Sequence, residues 1–287
     1  MAAKKTTEKK MPLFDRIFKP QHIVLANGHF VDRPRSRMPL ILLCLFAVIA
    51  VSVYATGFSI ATIVKRADQL PVIFGQILTP NWAFIKARVI PPLFETIQMS
   101  IVGTVAGCLL ALPMSILASA NINRNRPTLL FFRLLSSIIR SIPTLIYASI
   151  LALIFAMGAF AGTVAIMFFT LGIAAKMLYE SIETIDMGPY EAMQSFGANT
   201  LQSFWAACWP QILPVYLDTC LYCFELNVRA SAILGYVGAG GLGVLISERT
   251  GLRKYHDVGA IVVTLFVVVF IIDLFNDYLR SRLKKRQ

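Results

Sequence analysis

Apolar residues run through this 287-residue chain in blocks too long for the core helices of a soluble domain. The clearest uncharged stretches are 38–64, 96–123, 141–175 and 258–272, the last extending through Asp273 to Tyr278. A helix needs about 20 apolar residues to cross a hydrocarbon layer of roughly 30 Å. Divided at the intervening polar and glycine-containing positions, the pattern predicts six spans. They cover about 39–58, 93–117, 134–156, a fourth that follows Gly158 and Gly162 and ends near 176–180, then 211–234 and 258–278. The fold class expected is all-α and polytopic.

Charge placement orients the spans. The net charge is +12, yet basic residues gather at helix ends rather than along one face. Nine lie in the N-terminal tail, three in the loop with Arg124, Arg126 and Arg133, and five in the C-terminal "RSRLKKRQ". With both termini inside, these seventeen face the cytoplasm and seven face out, as the positive-inside rule requires. The bias therefore calls for no nucleic acid. The segments read as a cytoplasmic tail over 1–37, a first span with an external segment over 38–92, a transmembrane core over 93–280 and a basic tail over 281–287. Leu13, Phe14, Ile17 and Phe18 predict an interfacial helix over 12–19, with a partly ordered tail as the alternative. The length and charge of the first 37 residues suit a retained anchor better than a cleaved leader.

Composition excludes most other chemistry. Hydrophobic residues make up 57% of the chain and charged residues 15%, with a mean hydropathy of +0.69, outside the soluble range. Cys44, Cys108, Cys208, Cys220 and Cys223 lie in or beside spans, and Cys220-x-x-Cys223 has no second pair or nearby histidine to make a zinc site. His22, His29 and His256 are scattered, so no catalytic or metal-ligating cluster is predicted.

The internal segment 177–210 breaks the pattern. It has no Lys or Arg but carries Glu180, Glu183, Asp186 and Glu191, which suits a protein partner better than an anionic leaflet. Gly188-Pro189 opens a helix with proline where its missing N–H is harmless. Glu191 sits in the first turn, favourable for the macrodipole. Gly197 can end that helix in a left-handed conformation, and Asn199 with Gln202 predicts a capping box for the next.

This segment, "YEAMQSFGANTLQSFWAACWPQILP", resembles the EAA loop of permease subunits of ATP-binding-cassette importers. Glu191, Ala192, Gly197 and Pro210 hold the matching spacing. Met193, Ala207 and Trp209 replace the usual alanine, isoleucine and leucine, and Ala198 follows the glycine. The resemblance implies a coupling helix seated in a cleft of a cytoplasmic ATPase. Across residues 90–280, "RSIPTLIYASILALIF", "LYESIETIDMGPYEAMQSFGA" and "YCFELNVRASAILGYVGAGGLG" resemble permeases of phosphonate and phosphite importers. Methionine-importer permeases share the glycine-rich ending but usually not the F-E-x-N-V-R lead-in. The implied protein is a non-enzymatic, multi-pass permease in a bacterial cytoplasmic membrane. It would act as a homodimer with an extracytoplasmic binding protein, with ATP and Mg held by the ATPase. A methionine-type or other small-solute permease is the alternative; a secondary transporter would need internal repeats that are not seen.

Two features remain. "GAGGLG" (Gly238, Gly240, Gly241, Gly243) satisfies G-x-G-x-x-G, but it follows an apolar helix rather than a strand, so it reads as a helix break near an external gate. No Walker lysine motif occurs anywhere. Within span five, Asp218, Glu225 and Arg229 are costly in lipid and should face protein or water. Glu225 and Arg229, four apart, form either an ion pair or, through Arg229, a contact for an anionic cargo. Asn227 and Ser231 could line the path. Arg140 at the inner boundary and Pro143 in "RSIP" complete the candidate gate and helix-break residues.

Overall fold

The computed structural model describes residues 21–24, 28, 30–33 and 38–284. Two units separate, Met1–Gln69 and Leu70–Gln287. In the first, β1 (Gln21–Val24) pairs antiparallel with β2 (Phe30–Arg33), Gln21 opposite Arg33 and Val24 opposite Phe30. This hairpin was not expected in the N-terminal tail; from Met38 onward every described element is helical, as expected. Ile23, Val24, Phe30 and Val31 are β-branched or aromatic and favour the pleated conformation. The helix expected over 12–19 lies outside the described residues. Helix α1 (Met38–Thr56) follows, uncharged and long enough to span a bilayer, then the short α2 (Ile60–Lys65).

The second unit begins with α3 (Gln69–Leu78) and continues into α4 (Trp82–Ala118). The span expected from Leu93 thus starts eleven residues earlier. Pro91 and Pro92 sit inside the continuous helix because a π-turn over Ile85–Val89 precedes them, loosening the backbone where proline removes donors. Next come α5 (Arg126–Ser141), α6 (Thr144–Phe155) and α7 (Ala159–Ile182). The third span, expected over 134–156 with a helix break at Pro143, is α5 and α6 meeting at 86°, with α5 beginning eight residues earlier than expected. Proline forces Ile142 before it into an extended conformation (φ −87°, ψ 122°). After α8 (Gly188–Ser195), α9 runs from Thr200 to Val237 and meets α10 (Gly241–Gly251) at 49°. The chain ends in α11 (Tyr255–Lys284). Among the described residues four helices are long and apolar enough to cross a membrane, and the two bent pairs bring the number to six if each is one span.

The centre of this unit is the seam between α4 and α7. Gly103, Gly107 and Ala111 place small residues every fourth position on α4, the spacing that lets helix backbones approach in lipid. A Cβ on Gly103 would lie 2.8 Å from Ile166 Cβ, and one on Gly107 2.6 Å from Thr170 Cβ. Close approach brings polar groups together. The Asn227 amide of α9, fully buried, donates 2.7 Å hydrogen bonds to both Thr104 Oγ1 on α4 and Thr170 Oγ1 on α7. Ser100 and Thr104 in turn donate to carbonyls one turn back, at 2.8 and 2.6 Å, so no hydroxyl of this line is left bare in an apolar setting.

Asn227→Ala removes both interhelical bonds and should destabilise the detergent-solubilised protein by about 1–2 kcal/mol. The measurement is thermal unfolding beside wild type; an unchanged midpoint would show that the three-helix junction contributes nothing to stability.

Candidate functional site

The segment after α7 folds as a clasped peg. Glu183 ends α7, and Gly188 N–H is held by Asp186 Oδ1 at 2.9 Å ahead of Pro189 in the first turn of α8. Helix α8 closes in a Schellman motif: Ala198 N–H donates to Met193 O at 3.1 Å and Gly197 N–H to Gln194 O at 3.0 Å. Gly197 holds φ +86° in the left-handed region, where a Cβ would meet nothing within 4 Å. Asn199 then forms a full capping box with Gln202 at the start of α9. A π-turn over Phe204–Cys208 carries α9 past Pro210, whose ring would otherwise press on the preceding turn.

The peg is tied down on one side and open on the other. Tyr190, 5% exposed, packs into a cluster with Ile182, Phe204, Cys208 and Ile212. Gln211 bonds Asp186 twice, its Oε1 accepting from Asp186 N–H at 3.2 Å and its Nε2 donating to Asp186 O at 3.1 Å. Glu191, Ala192, Gly197 and Pro210 are exposed, with Met193 and Ala198 half-buried. Phe196, 89% exposed at the tip, was missed by the sequence reading; an aromatic directly before the helix-ending glycine was the available signal.

Beneath the peg a second missed feature fixes the same end of the bundle. Arg133 of α5 pairs with Glu183, donates to Ala118 O at 2.9 Å and covers the Tyr179 ring at 5.0 Å. Glu183 also accepts from Ala120 N–H at 2.8 Å. One ion pair therefore joins the ends of α4 and α7 to the middle of α5.

At the other end the glycine-rich string joins two helices. Gly238, Gly240 and Gly241 have φ of +76°, +83° and +68°, and Leu242 N–H is accepted by Thr96 Oγ1 of α4 at 2.8 Å. Gly235 and Gly243 let the backbones flanking the bend touch, with a Cβ on Gly243 only 2.7 Å from Gly235 Cα. Arg140 is exposed in the last turn of α5, three residues before the bend at Pro143.

The charged residues of α9 line its contact with α11. Arg229 pairs with Glu225 one turn below and stands 3.1 Å from Asp273 Oδ2 on α11. Further along, Asn276 Nδ2 donates to Leu221 O at 3.3 Å, and Arg280 Nε lies 2.9 Å from Asp218 Oδ1 without hydrogen-bond alignment. Asp273 interrupts an apolar run, which was legible; its partner, 44 residues upstream, was not. Asn227 and Ser231 lie on the opposite, buried face, Ser231 Oγ donating to Val228 O at 2.8 Å. Among the described residues no group of three His, Cys, Asp or Glu is placed to hold a metal.

Arg229→Gln leaves Glu225 and Asp273 without a cation and should lower the unfolding midpoint, whereas Arg229→Gln/Asp273→Asn should recover part of the loss. Strictly additive effects of the two changes in a double-mutant cycle would refute coupling across this seam.

Comparison with known proteins accords with this architecture. Residues 103–285 match the family described as "binding-protein-dependent transport system inner membrane component". The chain is 34% identical over 211 residues to the phosphate-import permease protein PhnE of Mycolicibacterium smegmatis, covering 74% of this chain and 40% of that protein. It is 30% identical over 240 residues to the phosphite transport system permease protein PtxC of Stutzerimonas stutzeri, covering 83% and 87%. An inward-facing structure of the MetNI methionine ABC transporter superposes with a TM-score of 0.62 at 22% identity, over 69% of this chain and 97% of that one, a likeness of fold. The chain belongs to the binding-protein-dependent transport system inner membrane component family, as a multi-pass permease subunit of an ABC importer.

Proposed function

We propose that this permease forms the membrane path for phosphonate, phosphite or a related phosphorus oxyanion. The observation that carries the cargo class is its 30–34% identity to permeases named for phosphite and phosphate import. In this reading an extracytoplasmic binding protein delivers the anion to a pathway completed by a second copy of the chain. Cytoplasmic ATPase subunits, holding ATP and Mg, grip the peg formed by α8 and the start of α9. Glu191, Ala192, Gly197 and the bare ring of Phe196 form its contact surface, while Tyr190 and Gln211 hold it rigidly to the bundle.

Arg229 serves this pathway as a structural cation rather than a cargo ligand. Glu225 and Asp273 both engage it, leaving the trio with one net negative charge, a poor landing place for an oxyanion. The bends at Pro143 and Gly238–Gly241 supply the gating elements: each is a break in an otherwise continuous span, and the glycine bend packs closely on Met157, Ala159 and Thr96.

The test is uptake by proteoliposomes containing this permease, its ATPase and its binding protein, with phosphite, a phosphonate, phosphate and methionine as candidate cargoes. ATP-dependent uptake of a phosphorus oxyanion is expected; uptake of methionine alone would overturn the cargo assignment. Gly197→Asp should retain the fold, because aspartate tolerates the left-handed region better than most residues and its Cβ enters open space. It should nevertheless lose ATPase co-purification. Normal co-purification by that variant would refute the coupling role of the peg.

A further inference from the structure

The helix α5 carries three distinct faces. One packs inward through Phe132, Leu135 and Ile139, with Ser136 buried. A second exposes Leu130, Phe131, Leu134 and Ile138 at 59, 60, 61 and 53%. Between them Arg126, Arg133 and Arg140 recur every seven residues, on one line along the helix. Such a division, with cations bordering an apolar exposed face, is that of a helix lying at a bilayer boundary. The other two arginines aside, Arg133 is consumed by Glu183, Ala118 O and Tyr179.

Arg126 and its neighbour Arg124 are different. Neither has a hydrogen bond or ion pair among the described residues, and both are exposed. They line an open groove of about 480 Å³ together with Asn123, Leu129 and Leu130. Asn125, the residue preceding α5, makes no side-chain cap, so the first turn presents uncapped N–H groups to the same region. The Asn123 side chain is already committed, its Nδ2 donating to Leu117 O at 2.7 Å and its Oδ1 accepting from Asn125 N–H at 3.1 Å. The nearby acid, Glu183, is neutralised by Arg133.

We propose that Arg124, Arg126 and the open first turn of α5 seat the phosphodiester headgroup of an anionic phospholipid, whose acyl chains run over Leu130, Phe131 and Leu134. The proposal rests on the membrane placement of the family and not on the cargo. Two unpaired guanidiniums match phosphate oxygens, and the apolar face that continues directly from the groove matches hydrocarbon. A free oxyanion would leave that face without a partner, and so would an acidic protein segment. Because α5 also carries the Arg133–Glu183 pair, a bound lipid would brace the end of the bundle from which the peg projects.

The experiment is native mass spectrometry of the full-length chain from a neutral detergent, with equimolar phosphatidylglycerol and phosphatidylcholine of the same acyl chains. Wild type should retain phosphatidylglycerol in preference. Arg124→Gln/Arg126→Gln should lose that preference by about fivefold per arginine removed. Arg124→Lys/Arg126→Lys should keep most of it, and Lys254→Gln, in the loop before α11, should leave it unchanged. Equal retention of the two lipids by wild type would overturn the proposal, as would full preference in the double glutamine variant. Complete displacement of phosphatidylglycerol by millimolar inorganic phosphate would also overturn it, by assigning the groove to soluble anions.

Discussion

The backbone approach of α4 to α7 is the contact on which the rest of the bundle depends. Hydrophobic association is weak between helices already surrounded by lipid, so packing depends on how closely backbones can meet. Gly103 and Gly107 remove the side chains that would hold Ile166 and Thr170 away. Only at that separation can the single amide of Asn227 reach both Thr104 and Thr170. The third helix is thus placed by a bond that exists because the first two are close. A larger residue at Gly107 would displace Thr170 and separate the Asn227 partners in the same step.

Polar contacts then divide between the two faces of α9. The buried face is neutral and hydrogen-bonded, and the face toward α11 is ionic. Asp273, Asn276 and Arg280 lie on successive turns of α11 and meet Arg229, Leu221 O and Asp218 of α9 in an antiparallel register. Charges at these depths cost several kcal/mol if left to lipid. Their mutual pairing lowers that cost and fixes the register, which apolar packing alone would leave free to slide. The neutral face sets which helices meet; the ionic face sets where along their length they do so.

Much of this was legible in the sequence, and the failures share one cause. Element types followed from apolar run length, and the peg from local chemistry: Pro189, Gly197 and Asn199 act on neighbours within a few residues, so their effect can be read locally. The beginning of α4 at Trp82 was missed because Pro91 and Pro92 look like terminators, and only a π-turn upstream makes them tolerable. The third span was expected to begin at Leu134 because Arg126 and Arg133 look like loop residues; the break at Pro143 was legible, but its size of 86° depends on what the two halves pack against. Arg133 with Glu183 and Arg229 with Asp273 were invisible for the same reason. Each pair is distant in sequence, and pairing across helices has no periodicity to betray it.

The continuity of α9 decides what the peg can do in the proposed mechanism. From Thr200 to Val237 the helix spans on the order of 55 Å without an interruption of its axis large enough to count as a break. Its lower end carries the capping box beside Gly197, and Gln211 with Tyr190 locks α8 against it. Its upper end stops where Gly235 presses on Gly243 and the chain turns by 49° into α10. A partner that moves the exposed tip therefore moves a rod, and the compliance lies at the far end, among three glycines with positive φ. Because packed seams shift between discrete arrangements rather than deform continuously, in the proposed mechanism a displacement at Phe196 would either leave the Leu242–Thr96 hydrogen bond intact or part it and release α10 from α4. The side chain of Thr96 is thus where movement of the peg would first become a change in the membrane path.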